Sequence, residues 1–404
     1  MQGMAESQLK RFSSRLVVSM KYGFHAIVNS QKNSGSWTPH WAVYTAPVRA
    51  GKGKQKSPVN ENGPVSQRML ADYLGLSPAT ISLVLNGSPV ADSIPQKTKD
   101  RVFAAARHVN YRPNFVARSL RTQRTFMIGV LVPEVSEGYA ASVMGGIDDQ
   151  LLQEGYFYLV ASHRHKPDLI EEYPRLLQER SVEGLIVIDT PWSQQVPIPV
   201  VVVSGRGQSK GITQIVLDHE RAAELALEHL YHLEHRRVAF IKGQAFSSDT
   251  EVRWNAIGKA ARRLGMDIRP ELVVQLEGDS PSPELGYGVT HKLLASTASF
   301  TALFAFNDIS AIGAIRALRE TGYRVPEDVS VVGFDDIQSA AFQNPGLTTV
   351  RQPLRRMGRL AAETVLRSIT ASTARYASRR IMVEPELVVR ESTCAASGRK
   401  LKRS

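Results

Sequence analysis

Cysteine is almost absent: the 404 residues hold one, Cys394. No disulfide can form within the chain, and no cysteine-based zinc site can be built. That fits a reducing compartment. No run of about 18 apolar residues occurs, so a membrane span is not expected. The N-terminus has basic residues but no apolar core ahead of a small-residue cleavage site, so it does not read as a secretory signal. A G-x-S-x-G elbow and a P-loop are both missing, which argues against acyl or phosphoryl chemistry. One stretch lacks charge altogether. "LSPATISLVLNGSPV", Leu76 to Val90, carries neither Lys nor Arg in a chain of formal net charge +12.

The charge that is present is unevenly placed. Residues 1–125 hold 18 Lys and Arg against 5 Asp and Glu, whereas the remainder holds 32 against 33. A basic third on a near-neutral body points to a polyanion partner for that third. The plainer alternative is a basic tail that aids solubility. Residues 1–62 show no sustained period and are rich in Gly, Ser, Asn, Pro and Lys, so they read as a disordered basic leader.

Residues 63–111 change character. Ser66 is a natural N-cap, Met69, Leu70, Tyr73 and Leu74 fall at helical spacing, and Gly75 is a stop. Ser77 caps a second helix with Pro78 at its first position, and Ile81, Val84 and Leu85 form its inner stripe. Ser93-x-x-Gln96 reads as a capping box opening a third helix, with Val102, Ala105, Ala106 and Val109 on one face. Two short helices around a tight turn, followed by a third, make a helix-turn-helix. Small trihelical bundles that never touch DNA share that pattern.

From Phe126 the period switches. "FMIGVLV", "YFYLVAS", "GLIVID", "IPVVVVS", "RVAFIKG", "TALFAF" and "VSVVGFDD" are short, apolar and β-rich. Helical stretches lie between them, among them 143–154, 218–232, 251–264 and 308–321. Strands buried on both faces and alternating with helices predict an α/β fold with parallel sheets, and the length suggests two lobes.

Read in order, "SPATISLVLNGSP", "NYRPNFVARSLRT", "IGVLVP", "HLYHLEHRRVAFI", "FAFNDISAIGAIRAL", "VPEDVSVVGFDDI", "LTTVRQP" and "VEPELVVREST" resemble the lactose-repressor/galactose-repressor family of bacterial transcription regulators. The resemblance covers residues 64–393. It implies a helix-turn-helix at 63–111, a hinge helix or linker at 112–125 and a two-lobed body like a periplasmic binding protein at 126–393. The N-lobe is then about 126–217 plus 352–378, the C-lobe about 218–351 plus 379–393, and residues 394–404 a polar tail without apolar heptads.

The resemblance also implies roles. The second helix would lie in the major groove of a palindromic operator, with Ser77, Pro78, Ala79, Thr80, Ser82, Leu83 and Asn86 at the DNA. The family often has Arg at the position of Leu83, where it can grip guanine. Leu83 is limited to apolar contact; packing inward against the first helix is the alternative, and the groove is preferred because Ile81, Val84 and Leu85 already fill the inner stripe. Tyr111, Arg112, Asn114, Ala117, Arg118 and Leu120 would follow in the hinge, with Leu120 as a minor-groove wedge. Phosphate contacts would fall to cations elsewhere, such as Arg68, Lys97, Lys99, Arg101, Arg107, Arg121 and Arg124.

In the body, a small-molecule effector, a sugar or sugar derivative, would sit between the lobes at the carboxyl ends of the strands. Ser136, Tyr139, Arg253, Asn307 and Asp335 are the candidates. A carboxylate, an amide and a guanidinium suit paired hydroxyls. Asp308 and Asp336 have a plainer role, as caps of the helices that follow, and Asp218 reads as structural. "EVSEGYAAS" departs from the Asn-Pro-Phe-Phe segment frequent in the family, which leaves the ligand class open. His229, His232 and His235 recur every third residue, yet helical spacing spreads the outer two too far for a metal. The expected whole is a cytoplasmic homodimeric repressor, with no enzymatic activity, cofactor, metal or membrane contact. A transport solute-binding protein explains the body equally well but not the helix-turn-helix, and a sugar-modifying enzyme lacks its nucleophile and base.

Overall fold

The structure, a computed structural model, describes residues 65–111, 119, 122–135, 138–205, 211–279, 282–296, 299–371 and 379–396. The leader, Ser136 and the hinge residues Arg112, Asn114, Ala117, Arg118, Leu120 and Arg121 lie outside them. Two compact units divide at Arg112–Pro113.

The first unit is three helices, α1 (Gln67–Leu74), α2 (Pro78–Leu85) and α3 (Gln96–His108). The Ser66 hydroxyl accepts from Met69 N–H and that of Ser77 from Thr80 N–H, satisfying amides that each helix start leaves bare. Gly75 ends α1 at φ 63°, a left-handed turn that a β-carbon would oppose. Leu70, Ile81 and Val102 meet fully buried at the centre, with Val84, Ala105, Ala106 and Val109 around them. Burial of each large side chain stabilises this small unit by roughly 1.5–3 kcal/mol. The expected capping box at α3 does not form. Ser93 instead closes a 3-10 turn, its hydroxyl donating to Val90 O, and Pro95 stands at the N-cap. The proline lets the helix start without a side-chain cap, because it fixes φ near the helical value.

The second unit holds two six-stranded sheets. The first comprises β1 (Met127–Val132), β2 (Phe157–Ser162), β3 (Gly184–Ile188), β4 (Val200–Val203), β5 (Thr213–Leu217) and β11 (Arg379–Val383), ordered β11-β5-β4-β3-β1-β2 and wholly parallel. The second comprises β6 (Val238–Lys242), β7 (Val273–Gln275), β8 (Ala302–Phe304), β9 (Ser330–Asp335), β10 (Thr348–Arg351) and β12 (Glu386–Val388), ordered β12-β10-β9-β8-β6-β7. Only β12 runs antiparallel. The strands are short apolar runs because helices cover both faces. Those helices are α4 (Tyr139–Gln153), α5 (Pro167–Glu179), α6 (His219–His232), α7 (Ser248–Arg263), α8 (Pro283–Ala295), α9 (Asp308–Glu320) and α10 (Leu354–Thr370).

The chain passes between lobes three times: after β5, after β10 and between β11 and β12. The third passage corrects the sequence-based boundary. Residues 379–383 extend the N-lobe sheet, paired Arg379 to Thr213 through Val383 to Leu217, and the C-lobe regains the chain only at β12. The short, alternating "RRIMV" fits an edge of either sheet, so its pattern carries no preference. Helix α10 returns to cover β3 and β4 and crosses α4 closely. Gly358 permits that crossing, since a β-carbon there would strike the Val143 carbonyl.

Candidate functional site

The first candidate surface is α2. Ser77, Pro78, Ala79 and Asn86 are exposed. The Ser77 and Thr80 hydroxyls are 2.9 Å apart, and Asn86 Nδ2 donates to Ser82 O at 2.6 Å and Ser82 Oγ at 3.1 Å. Ile81 and Val84 are buried, whereas Leu83 is half-buried and stands outside the packed cluster. Tyr111 packs against that cluster and closes α3, its amide donating to Ala106 O at 2.8 Å. Arg68, Lys97 and Arg107 are exposed; Lys99 faces Asp92 at 3.8 Å, and Arg101 donates to Leu74 O at 3.2 Å.

Arg124 departs from its expected phosphate role. It belongs to the second unit, where its Nε donates to Glu183 Oε2 at 3.0 Å and its guanidinium also reaches the Tyr156 hydroxyl. The same carboxylate accepts from the backbone amides of Thr125, at 2.5 Å, and Phe126, at 2.9 Å. A largely buried carboxylate needs such partners. Arg124 is spent on anchoring the chain where it enters β1.

The second candidate is a cleft at the carboxyl ends of both sheets, with about 820 Å³ of unfilled space counting its open mouth. Both lobes line it. Tyr139, which opens α4, and Asp189, directly after β3, come from the N-lobe. Asp249 and Arg253 on α7, Phe306 and Asn307 after β8, and Asp335 ending β9 come from the C-lobe. Asp189 and Asp335 leave their strands at φ 40° and 112°, left-handed backbone that strand ends near binding sites often hold under strain.

Arg253 organises the floor. Only 4% exposed, it lies with Cζ 3.6 Å from the Phe334 ring centre and 4.4 Å from that of Phe306. It donates to the Phe306 carbonyl and stands 3.9 Å from Asp249, one helical turn earlier. Its Nε has no partner among the described residues, and neither has the Tyr139 hydroxyl. Asp249 also faces His219 Nε2 at 3.6 Å. Asp335 accepts from Gln352 Nε2 at 2.6 Å, and Asp189 accepts from the Ser248 hydroxyl at 3.1 Å.

Burial of these charges shows in their protonation. It pushes the Asp335 carboxyl up to about 7, against the opposing pull of Arg253 and the Gln352 hydrogen bond. Burial, and then the neighbouring charge of Asp249, raise Asp189 well above the usual carboxylate range. The Tyr139 hydroxyl is raised by burial and then by Asp249 and Asp189. Burial lowers Arg253, while Asp335 and Asp249 oppose the change. A shape-defined cleft lined by carboxylates, an amide and a guanidinium is suited to a donor- and acceptor-rich small molecule.

Comparison with known proteins places this arrangement. Residues 70–114 match the profile of bacterial regulatory proteins of the lacI family, and residues 227–393 match a periplasmic binding protein-like domain. The HTH-type transcriptional repressor PurR of Haemophilus influenzae is 32% identical over 335 residues, covering 80% of this chain and 97% of that protein. The chain belongs to the lacI family of bacterial regulatory proteins. Among solved members of this family and its neighbours, the lac repressor dimer bound to operator and the anti-inducer ONPF aligns at a TM-score of 0.73. It is 28% identical and covers 82% of this chain and 100% of that one. A complex of the transcriptional regulator CelR with cellobiose aligns at 0.60, with 27% identity, covering 81% and 99%. The family accounts for the helix-turn-helix followed by a two-lobed body, as expected from the sequence. Among the described residues no helix is long and apolar enough to cross a membrane.

Four of the five expected cleft residues, Tyr139, Arg253, Asn307 and Asp335, line this cavity together. Asn307 also caps α9, accepting from Ser310 N–H at 2.9 Å. Asp308 does not cap. It is buried, accepts from Ile337 N–H and the Thr349 hydroxyl, and ties the segment after β9 and strand β10 to the start of α9. Asp336 pairs with Arg351 and Arg390 at 2.6 Å each. Asp218 is the cap of α6. His229 bonds Thr393, while His235 bonds Thr301, Ser330 and the Cys394 carbonyl, so these rings fasten the chain end to the C-lobe. Sequence reasoning missed Asp189 and Asp249. Asp189 ends the strand "GLIVID" just as Asp335 ends β9, and Asp249 lies four residues before Arg253, so both signals were there.

Proposed function

We propose that this protein is a transcriptional repressor that binds a palindromic operator as a homodimer and is controlled by a small hydroxylated effector, a sugar or sugar derivative, held between the lobes. The observation that carries the reading is one chain joining a capped, uncharged, exposed helix to a two-lobed cleft floored by Arg253 and acids. Helix α2 lies in the major groove, with Pro78, Ala79 and Leu83 at base edges and Ser77, Thr80, Ser82 and Asn86 toward the backbone. Arg112, Asn114, Ala117, Arg118 and Leu120 form the hinge beside it, and Leu120 is the minor-groove wedge.

In the cleft, Asp335 and Asp189 accept from ligand hydroxyls, while Arg253, Asn307, Tyr139 and Ser136 orient the ring. The partner is a second copy. Edge strand β2 presents Phe157, 75% exposed, beside Leu159 and Val160, and Phe342 in the C-lobe is 81% exposed. Exposed apolar side chains along an unpaired edge favour self-association. The protein works in the cytoplasm and performs no catalysis.

The test is operator binding by the full chain in the presence of sugars and nucleosides. A ligand that changes operator affinity at least about tenfold supports the reading. If specific DNA is bound while no ligand alters that binding and none stabilises the body, the effector role is wrong.

A further inference from the structure

Among the described residues the cleft is lined by five carboxylates, Glu134, Asp189, Asp249, Asp279 and Asp335, against one guanidinium, Arg253. No lysine is among those lining residues, and His165 is the other basic group there. This imbalance is local. The formal charge of the chain is +12, and residues 126–404 hold nearly equal numbers of acids and bases. Three of the acids, Asp189, Asp249 and Asp335, gather on Arg253 at the floor, and their charges all bear on it. One guanidinium faces all three, and His219 stands 3.6 Å from Asp249. Helix N-termini offset little more, because Asp249 and Asp308 already occupy the first turns of α7 and α9.

Buried carboxylates that outnumber the cations beside them are expensive, and protonation relieves them, as the raised Asp189 and Asp335 indicate. A phosphate or carboxylate on the ligand would add repulsion. Hydroxyls alone would accept the hydrogen-bonding role and leave the excess charge. A second, independent feature fixes the other end of the ligand. Arg253, nine-tenths buried and more, lines the cleft with its Nε–H unpartnered. It calls for an acceptor oxygen, and the Tyr139 hydroxyl stands in the same cleft without a partner among the described residues.

Resting on the effector-cleft reading above, we propose that the effector is a hydroxylated amine. Its protonated nitrogen sits among Asp189, Asp249 and Asp335, and a hydroxyl or ring oxygen accepts from Arg253. An amino sugar or an aminodeoxynucleoside has this form. Binding drives the protonated carboxyls to ionise, so the complex releases protons.

The experiment titrates the full chain with matched sets: glucose, glucosamine and glucose 6-phosphate; galactose, galactosamine and galactose 6-phosphate; adenosine, 3′-amino-3′-deoxyadenosine and adenosine monophosphate. Calorimetry in two buffers of different ionisation enthalpy counts protons released. Within a set that binds, the amine should bind about tenfold or more tighter than its neutral counterpart, and the phosphate most weakly. Its affinity should rise toward about pH 7 as the acids around Arg253 ionise and fall again above about pH 8 as the ligand's amine loses its proton, with His219, His165 and Tyr139 the other titratable groups facing them. Asp249→Asn should cut the amine preference to about threefold or less. Neutral or phosphorylated members binding as tightly as the amine, with Arg253→Ala still abolishing binding, would overturn the amine and leave the effector cleft standing. If no member of any set binds, the effector-cleft reading fails for hydroxylated ligands, and the amine falls with it.

Discussion

Asp335 is where function and stability pull in opposite directions. Its folded carboxyl titrates near 7, above the usual value of 3.8. The protonated form is therefore favoured in the folded state. Its stabilising share is full at low pH and is lost as pH rises through about 7. Asp335→Asn keeps the shape, removes the ionisation and should stabilise the ligand-free protein, by about 1–3 kcal/mol near pH 8 and much less near pH 5. Thermal melts across that range test it, and an equal shift at every pH would show that the carboxyl titrates normally. Arg253→Ala should leave operator affinity within about twofold and abolish its response to effector, as read by fluorescence anisotropy with and without ligand. Wild-type effector response in that variant would remove Arg253 from the site. Both residues were legible in the sequence, because polar groups at strand and helix ends announce a cleft. Asp189 and Asp249 obey the same rule, but nothing in one sequence ranks one strand-end acid above another. Their importance comes from convergence on Arg253, which is a property of the folded chain.

Helix α2 carries the specificity question. Its caps, its proline start and its inner stripe were readable, and each is present. The filled inner stripe turns Leu83 toward the groove, and its half-burial outside the packed cluster favours the same position. Leu83→Arg should therefore fold, and it should gain about 1–3 kcal/mol of preference for guanine at one base pair. Competition titrations against an operator series measure this. Unchanged base preference together with a lowered melting point would make Leu83 a core residue. Other elements were less legible. Strands β7 and β12 are three residues each and too short for a period to show. The capping box failed because the local choice between a serine cap and a proline start depends on the turn before it. Edge strand β11, expected in the C-lobe, pairs in the N-lobe sheet instead, since edge pairing is decided by neighbours distant in sequence.

At the scale of the molecule, the proposed palindromic operator would need two recognition units held a fixed distance apart, and that requires self-association. Phe157→Glu with Phe342→Glu should shift the protein from dimer toward monomer in sedimentation at micromolar concentration and weaken operator binding by about tenfold or more. Unchanged sedimentation would place the interface elsewhere. The uneven charge, legible from the first third of the sequence, sets a second expectation. Affinity for any DNA should fall steeply with salt, by a log–log slope of roughly −0.9 for each phosphate neutralised. Arg124→Ala should leave that slope unchanged, because its guanidinium is committed to Glu183. A slope flattened by about one unit would show it at a phosphate instead.

The threefold passage between the lobes has a consequence for how the protein is made. The helical unit is continuous in sequence and complete once α3 has left the ribosome. The N-lobe lacks β11, and the C-lobe lacks β12, until the last residues of the body are translated. At about 5–20 residues per second, the nascent chain carries a finished DNA reader and an open N-lobe sheet for on the order of ten seconds or more, and an open C-lobe sheet for a few seconds. During that time the strand edges awaiting β11 and β12 are bare, and a ribosome that stalls late would release a chain with a folded head and no closed lobe.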